Sequence, residues 1–155
     1  MKKIIRSLIS VILVLALALC FFACDESTAG DGANNGEAGI EDEGLWAGAT
    51  YKENKEFGSG SKTVVVEVKI EEKTVTFTIK TDKETVGAAL LAEGLISGEE
   101  GPYGLYIKVV NGITADYDVD RSYWAFYIDG SYAMTGVDGT PIDEGAVYRL
   151  AYERG

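Results

Sequence analysis

Histidine is absent from this 155-residue chain, cysteine occurs twice, and 14 Lys and Arg face 25 Asp and Glu. Without imidazole there is no Ser-His-Asp or Cys-His nucleophile, and no imidazole-bound zinc, haem or cobalt. The net charge of −11 argues against a nucleic-acid partner, because phosphate binding needs a supply of Lys and Arg. No Gly-rich phosphate loop, nucleophile elbow or internal repeat is present either. The expectation is one folded domain, not an enzyme and without a cofactor.

Three cations, Lys2, Lys3 and Arg6, precede an almost unbroken apolar run from Leu8 to Phe22. That order is the layout of a secretory signal, and the run falls short of the roughly 20 apolar residues of a lasting membrane span. Phe21-Phe22-Ala23-Cys24 resembles a bacterial lipobox, in which a small residue precedes the cysteine that is acylated and becomes the mature N-terminus. Cys20 fits less well because Leu19 before it is bulky. The alternatives are an ordinary cleaved signal and an uncleaved anchor helix. Residues 1–23 are thus expected to be a lipoprotein signal peptide. Lipidation of Cys24 places the rest of the chain on the extracytoplasmic face of the cell membrane, with two acyl chains as a firm anchor.

Asp25 to Ser61 carries eight glycines, nine acids and two lysines, with no hydrophobic periodicity. Such a composition reads as a flexible acidic tether, 24–61, because it buries too little apolar surface to offset the entropy of ordering. Leu45, Trp46, Tyr51 and Phe57 interrupt it, either as loose packing against the domain edge or as a short partner-recognition segment.

From Lys62 the pattern changes. Val64, Val66, Val68 and Ile70 alternate with polar residues, and Val75, Phe77 and Ile79 do the same after a Glu71-Glu72-Lys73 turn, which predicts a hairpin. A short helix follows, capped by Asp82 or Thr85 and stopped by Gly94, with Gly87 allowing close packing on the sheet. After a Gly/Glu loop at Ser97–Gly101, strands are expected at Leu105–Val110, Ser122–Ile128, Ser131–Met134 and Ala146–Glu153, with turns at Asn111-Gly112 and Asp129-Gly130. Residues 62–155 therefore read as an α+β domain, β-grasp-like, with one short helix packed on a mostly antiparallel curved sheet.

Five tyrosines near turns or on the face opposite Trp124, Phe126 and Ile128 are the candidate ligand-binding residues: Tyr103, Tyr106, Tyr123, Tyr127 and Tyr132. Aromatic rings with polar tips offer large contact area at low entropic cost. Trp124 and Phe126 read as core, and the tyrosines have a second reading as braces for the other face of the sheet. Asp116, Asp118 and Asp120 occupy the first three ligand positions of a calcium loop, but Arg121 and Tyr127 stand where that loop needs glycine and glutamate, which favours a solvated acidic loop. The adjacent acids Glu99-Glu100 and Asp143-Glu144 do not face each other across a cleft as a glycosidase pair must.

The helix Thr85-Val86-Gly87-Ala88-Ala89-Leu90-Leu91, Gly104-Leu105-Tyr106-Ile107, Asn111-Gly112, Tyr123-Trp124-Ala125-Phe126-Tyr127-Ile128-Asp129-Gly130 and Pro141-Ile142-Asp143-Glu144-Gly145 resemble one known family. They lie within Thr74–Tyr152, and the family is DUF4430, related to the C-terminal β domain of transcobalamin and intrinsic factor among soluble-ligand-binding β-grasp domains. The resemblance implies non-catalytic binding of a small, corrinoid-like or other ring compound, with hand-over to a membrane uptake transporter. In the cobalamin carriers the β domain closes over a ligand held against a helical domain. This sequence shows no such helical region and no histidine for cobalt. A protein-interaction or adhesion role at the cell envelope is the alternative.

Overall fold

The computed structural model describes residues 44–155. The expected signal peptide, Cys24 and the first part of the tether lie outside the described residues. A 3-10 turn at Gly44–Gly48 is followed by β1 (Lys55–Gly58), β2 (Lys62–Ile70), β3 (Lys73–Thr81), α1 (Val86–Ala92), β4 (Ile96–Gly101) and β5 (Gly104–Val110). Then come β6 (Ile113–Thr114), α2 (Tyr117–Asp120), β7 (Ser122–Ile128), β8 (Ser131–Tyr132) and β9 (Val147–Arg154).

Six strands form one sheet in the order β1-β3-β2-β9-β7-β8, and three form a second, β4-β5-β6. The large sheet is mixed. β2 runs antiparallel to β3 and parallel to β9, β7 runs antiparallel to β9 and β8, and β1 joins β3 in parallel. The predicted alternation sets the faces: Val64, Val66 and Val68 are buried beside Ile79, Phe77 and Val75 in register. Tyr148 and Leu150 of β9 and Trp124 and Phe126 of β7 continue the same apolar face. Val86, Ala89 and Leu90 of α1, with Ile107, Val110 and Ile113 of the small sheet, complete the core.

The helix begins where its cap predicts. Thr85 Oγ1 accepts the Ala88 N–H at 3.3 Å, and Gly94, at φ +64°, ends it while the Leu95 N–H reaches the Leu90 carbonyl at 3.0 Å. At seven residues it depends on packing for its stability. Gly87 explains part of that packing, though its partner is a loop. The Gly87 N–H donates to Val137 O at 2.8 Å, and a Cβ there would stand 2.8 Å from Asp138 N and Cα. Gly87→Ala would ordinarily strengthen a helix by about 1 kcal/mol. Here it is expected to destabilise by about 1–3 kcal/mol, because backbone must move to admit the methyl group. Urea unfolding of the two proteins checks this, and a stabilised variant would contradict the close approach.

Three segments differ from the sequence reading. Residues 44–61 are not all tether: Trp46 is 5% exposed within the core, and β1 extends the large sheet. Tyr51, Phe57 and Phe77 form a triangle of rings with centroids 5.2–6.1 Å apart. Ser97–Gly101, expected as loop, lies in β4, where Glu99 and Glu100 pair with Tyr106 and Leu105 of β5. The strand expected at Ser131–Met134 stops at Tyr132. Its last two residues turn away to line the groove described next.

Candidate functional site

β5 and β7 belong to different sheets, and both present an edge that no strand covers for part of its length. On β7, β8 pairs only with Tyr127 and Ile128, and the Ala133 N–H then reaches Phe126 O at 2.9 Å before the chain departs. On β5, β4 takes one edge, whereas β6 pairs only with Val109 and Val110. Between these edges and the 131–137 segment lies a groove of about 470 Å³.

Six aromatic residues contribute to its lining: Trp124 and Phe126 from the inner face of β7, Tyr103 and Tyr106 from the β4–β5 hairpin and strand, and Tyr123 and Tyr132, which share the outer face with Tyr127 and border the groove at the sheet's edge. Leu105, Ile107, Ala133, Met134 and Val137 add apolar wall, with Thr135 and Gly136. No charged side chain and no amide is among them. Several of the rings are oriented from behind. Phe126 stacks on Tyr148 at 6.1 Å, Trp124 meets Tyr152 edge-on at 5.4 Å, and Tyr132 meets Tyr127 edge-on at 5.4 Å. At the mouth stand Tyr103, 98% exposed, and Met134, 95% exposed. They adjoin the groove's other apolar lining, and a contiguous exposed apolar patch of this kind marks a binding site.

Four of the five candidate tyrosines border the groove. Tyr103 and Tyr106 come from the β4–β5 hairpin and strand, and Tyr123 and Tyr132 from β7 and β8. Tyr127 is not on the groove. It faces a separate recess of about 330 Å³ on the outer side of the large sheet, with Lys69, Arg149 and Glu153. Trp124 and Phe126 were expected only as core. They are buried, and they also form the groove's floor. Sequence reasoning missed Met134 and Val137 as well. An isolated large apolar residue between Tyr132 and Gly136, in an otherwise polar loop, was the available signal.

Glu153 joins Tyr123 and Tyr127 on the outer face of the large sheet. Its carboxylate accepts the Tyr123 hydroxyl at 3.0 Å and the Tyr127 hydroxyl at 2.5 Å. Hydrogen bonding to Glu153, then burial, raises the Tyr123 phenol above its ordinary value and pushes the Tyr127 phenol from 10.0 to about 12. Between pH 10 and 12 the folded chain keeps a proton on Tyr127 that the unfolded chain has released. Stability from this contact is therefore complete below pH 10 and lost as pH rises toward 12. Tyr127→Phe is expected to flatten that alkaline decline. Urea midpoints measured across the range test it, and an unchanged slope would show that Glu153 does not hold the phenol.

The acidic loop turns inward on its own backbone. α2 is a four-residue helix capped by Asp116, whose Oδ1 accepts the Asp118 N–H at 3.0 Å. Asp120 accepts the Ser122 hydroxyl and lies 3.4 Å from Arg154, and the Ser122 bond holds its carboxyl below the usual carboxylate range. No three His, Cys, Asp or Glu side chains gather into a metal-binding group among the described residues. The paired acids point to separate tasks: Glu99 lies 3.9 Å from Lys108, Asp143 Oδ1 accepts the Gly145 N–H, and Glu144 accepts the Thr63 N–H.

With this geometry in view, the class of the chain is settled by likeness to known proteins. The family model "Domain of unknown function (DUF4430)" matches residues 83–154. The crystal structure of a protein from Ruminococcus gnavus ATCC 29149, provisionally described as metal binding, is 32% identical, with a TM-score of 0.58. That match covers 61% of this chain and 99% of the other. The chain belongs to the DUF4430 family. Haptocorrin in complex with Cbi is also similar, at 22% identity and a TM-score of 0.47, over 63% of this chain and 26% of haptocorrin. No curated protein matches the sequence.

Proposed function

We propose that this chain is a non-catalytic lipoprotein, anchored through Cys24 on the outer face of the cell membrane, that captures a small ring-containing ligand in the β5–β7 groove and passes it to an uptake transporter. The observation that carries this reading is the groove itself: about 470 Å³ whose lining includes six aromatic residues and no charged residue, with two uncovered strand edges beside it. Concave, mostly apolar pockets with a few polar atoms are the usual form of a small-molecule site. Tyrosine hydroxyls, Thr135 and backbone groups supply the polar atoms here. The β-grasp reading fits a hairpin β2–β3, a helix, and β9 beside β2 in parallel at the sheet's centre. A metal as the ligand is not favoured, since the acids nearest a suitable loop are engaged with Ser122, Arg154 and backbone.

Calorimetry on the full chain with cobalamin, cobinamide, haem and oligosaccharides tests the proposal. A saturable heat that is weakened in Tyr106→Ala and Tyr132→Ala, but not in Tyr127→Ala, is the expected result. Binding equally lost in Tyr127→Ala would move the site to the outer recess, and a flat response to the whole panel would overturn small-ligand capture.

A further inference from the structure

We infer that the groove is built for an organic cation, an alkylated ammonium group carried on an apolar body. The inference rests on the reading of the groove as a ligand site and narrows its ligand class. Two absences exclude the neighbouring chemistries. An anion needs Lys or Arg at the wall, and none lines it. A sugar needs planar amides or carboxylates to pair its hydroxyls, and the lining contains no Asn, Gln, Asp or Glu. What is there is aromatic, with Trp124 and Phe126 at the floor and Tyr103 at the mouth, and ring quadrupoles attract cations.

The electrostatics behind the wall point the same way. Asp138 Oδ2 accepts the N–H of Leu105 at 3.3 Å, so one carboxylate stands directly behind a lining residue. Glu153, which accepts the hydroxyl of Tyr123 at 3.0 Å, is a second carboxylate, held on the strand next to the groove's edge. These carboxylates are satisfied from within and do not intrude as ligands. They give the groove a negative potential without a charged side chain inside it. The chain as a whole adds a net charge of −11, which raises the local concentration of cations. The protein already uses one of these rings this way: Lys108 Nζ sits 5.8 Å from the Tyr106 centroid, with Glu99 at 3.9 Å.

The test compares choline with 3,3-dimethylbutan-1-ol, the same shape with carbon in place of nitrogen. Both are titrated by NMR into the full chain in non-ionic detergent, up to millimolar concentration. Choline is expected to bind about tenfold more tightly than the neutral compound, a ratio that corresponds to about 1.4 kcal/mol of cation–π preference. Added salt should weaken choline alone. Tyr132→Ala and Tyr106→Ala, both changes at exposed rings, should each weaken choline severalfold. Equal affinity for the two compounds, or choline binding untouched by both variants, would overturn the cation assignment. If neither compound binds while a ring compound of the calorimetric panel does, the cation assignment fails and the groove stands as a ligand site. If nothing binds in either experiment, both fall.

Discussion

Trp46→Ala is expected to cost about 3–5 kcal/mol of unfolding free energy, the range for truncating a large aromatic side chain in a core. For a domain of this size that is a large share of total stability. The indole is 5% exposed and belongs to the same cluster as Val66, Phe77 and Leu150. Lys73 Nζ caps it, 5.0 Å from the ring. Its backbone carbonyl takes the Ala49 N–H at 3.1 Å and closes the turn that aims the ring inward. Urea unfolding of the full chain checks the figure. A loss under about 0.5 kcal/mol, the size of a surface change, would mean that residues 44–48 are tether after all.

The second large effect is expected at Asn111. This residue is buried with φ +51°, a left-handed conformation that asparagine tolerates better than alanine does. Its side chain reads the backbone of Tyr51 in both directions: Oδ1 accepts the Tyr51 N–H at 2.9 Å, and Nδ2 donates to Tyr51 O at 2.7 Å. Its own backbone is also committed, with N–H to Leu95 O at 2.7 Å and C=O to Thr50 N at 2.8 Å. One residue thus pins the Thr50–Tyr51 segment to the end of β5 and to the turn after α1. Asn111→Ala strands two backbone groups and adds backbone strain, which together cost about 2–4 kcal/mol. Asn111→Asp keeps the acceptor and loses the donor, so it should fall between wild type and alanine. If the alanine variant unfolds at the wild-type urea midpoint, the pin carries no load.

These two residues show where the sequence was legible and where it was not. The strands of the large sheet follow from strict alternation, and the helix from Thr85 and Gly94, because each signal is local and repeats within a few residues. Asn111-Gly112 was readable as a turn for the same reason. That the Asn111 side chain would hold Tyr51, 60 residues earlier, left no local trace. Trp46 and Phe57 sit in a stretch whose average composition is that of a linker, and composition outweighed four aromatic or aliphatic side chains that tertiary contacts draw in. β4 was hidden by its glycines and glutamates, which carry little strand propensity. It forms because β5 offers it a complete ladder.

The site divides in the same manner. Tyrosines could be picked out as rings with polar tips, and strand parity separated Tyr123 and Tyr127 from Trp124 and Phe126. Parity also placed both tyrosines on one surface, where Glu153 joins them. It could not show that β8 is too short to cover Trp124, or that Met134 and Val137 would close the opposite wall. The groove exists because a strand ends early, and the end of a strand is the least legible feature of a sequence.

The claim on which the rest depends is that the β5–β7 groove, and not the outer face of the sheet, receives a small ligand. Backbone amide shifts recorded by NMR during titration of the full chain with cobinamide, and separately with choline, test it most directly. The account predicts saturable shifts grouped at Leu105–Ile107, Tyr123–Phe126 and Tyr132–Val137, with Lys69, Arg149 and Glu153 moving little. Shifts centred on Lys69, Tyr127 and Arg149, or none with either compound at millimolar concentration, would contradict it.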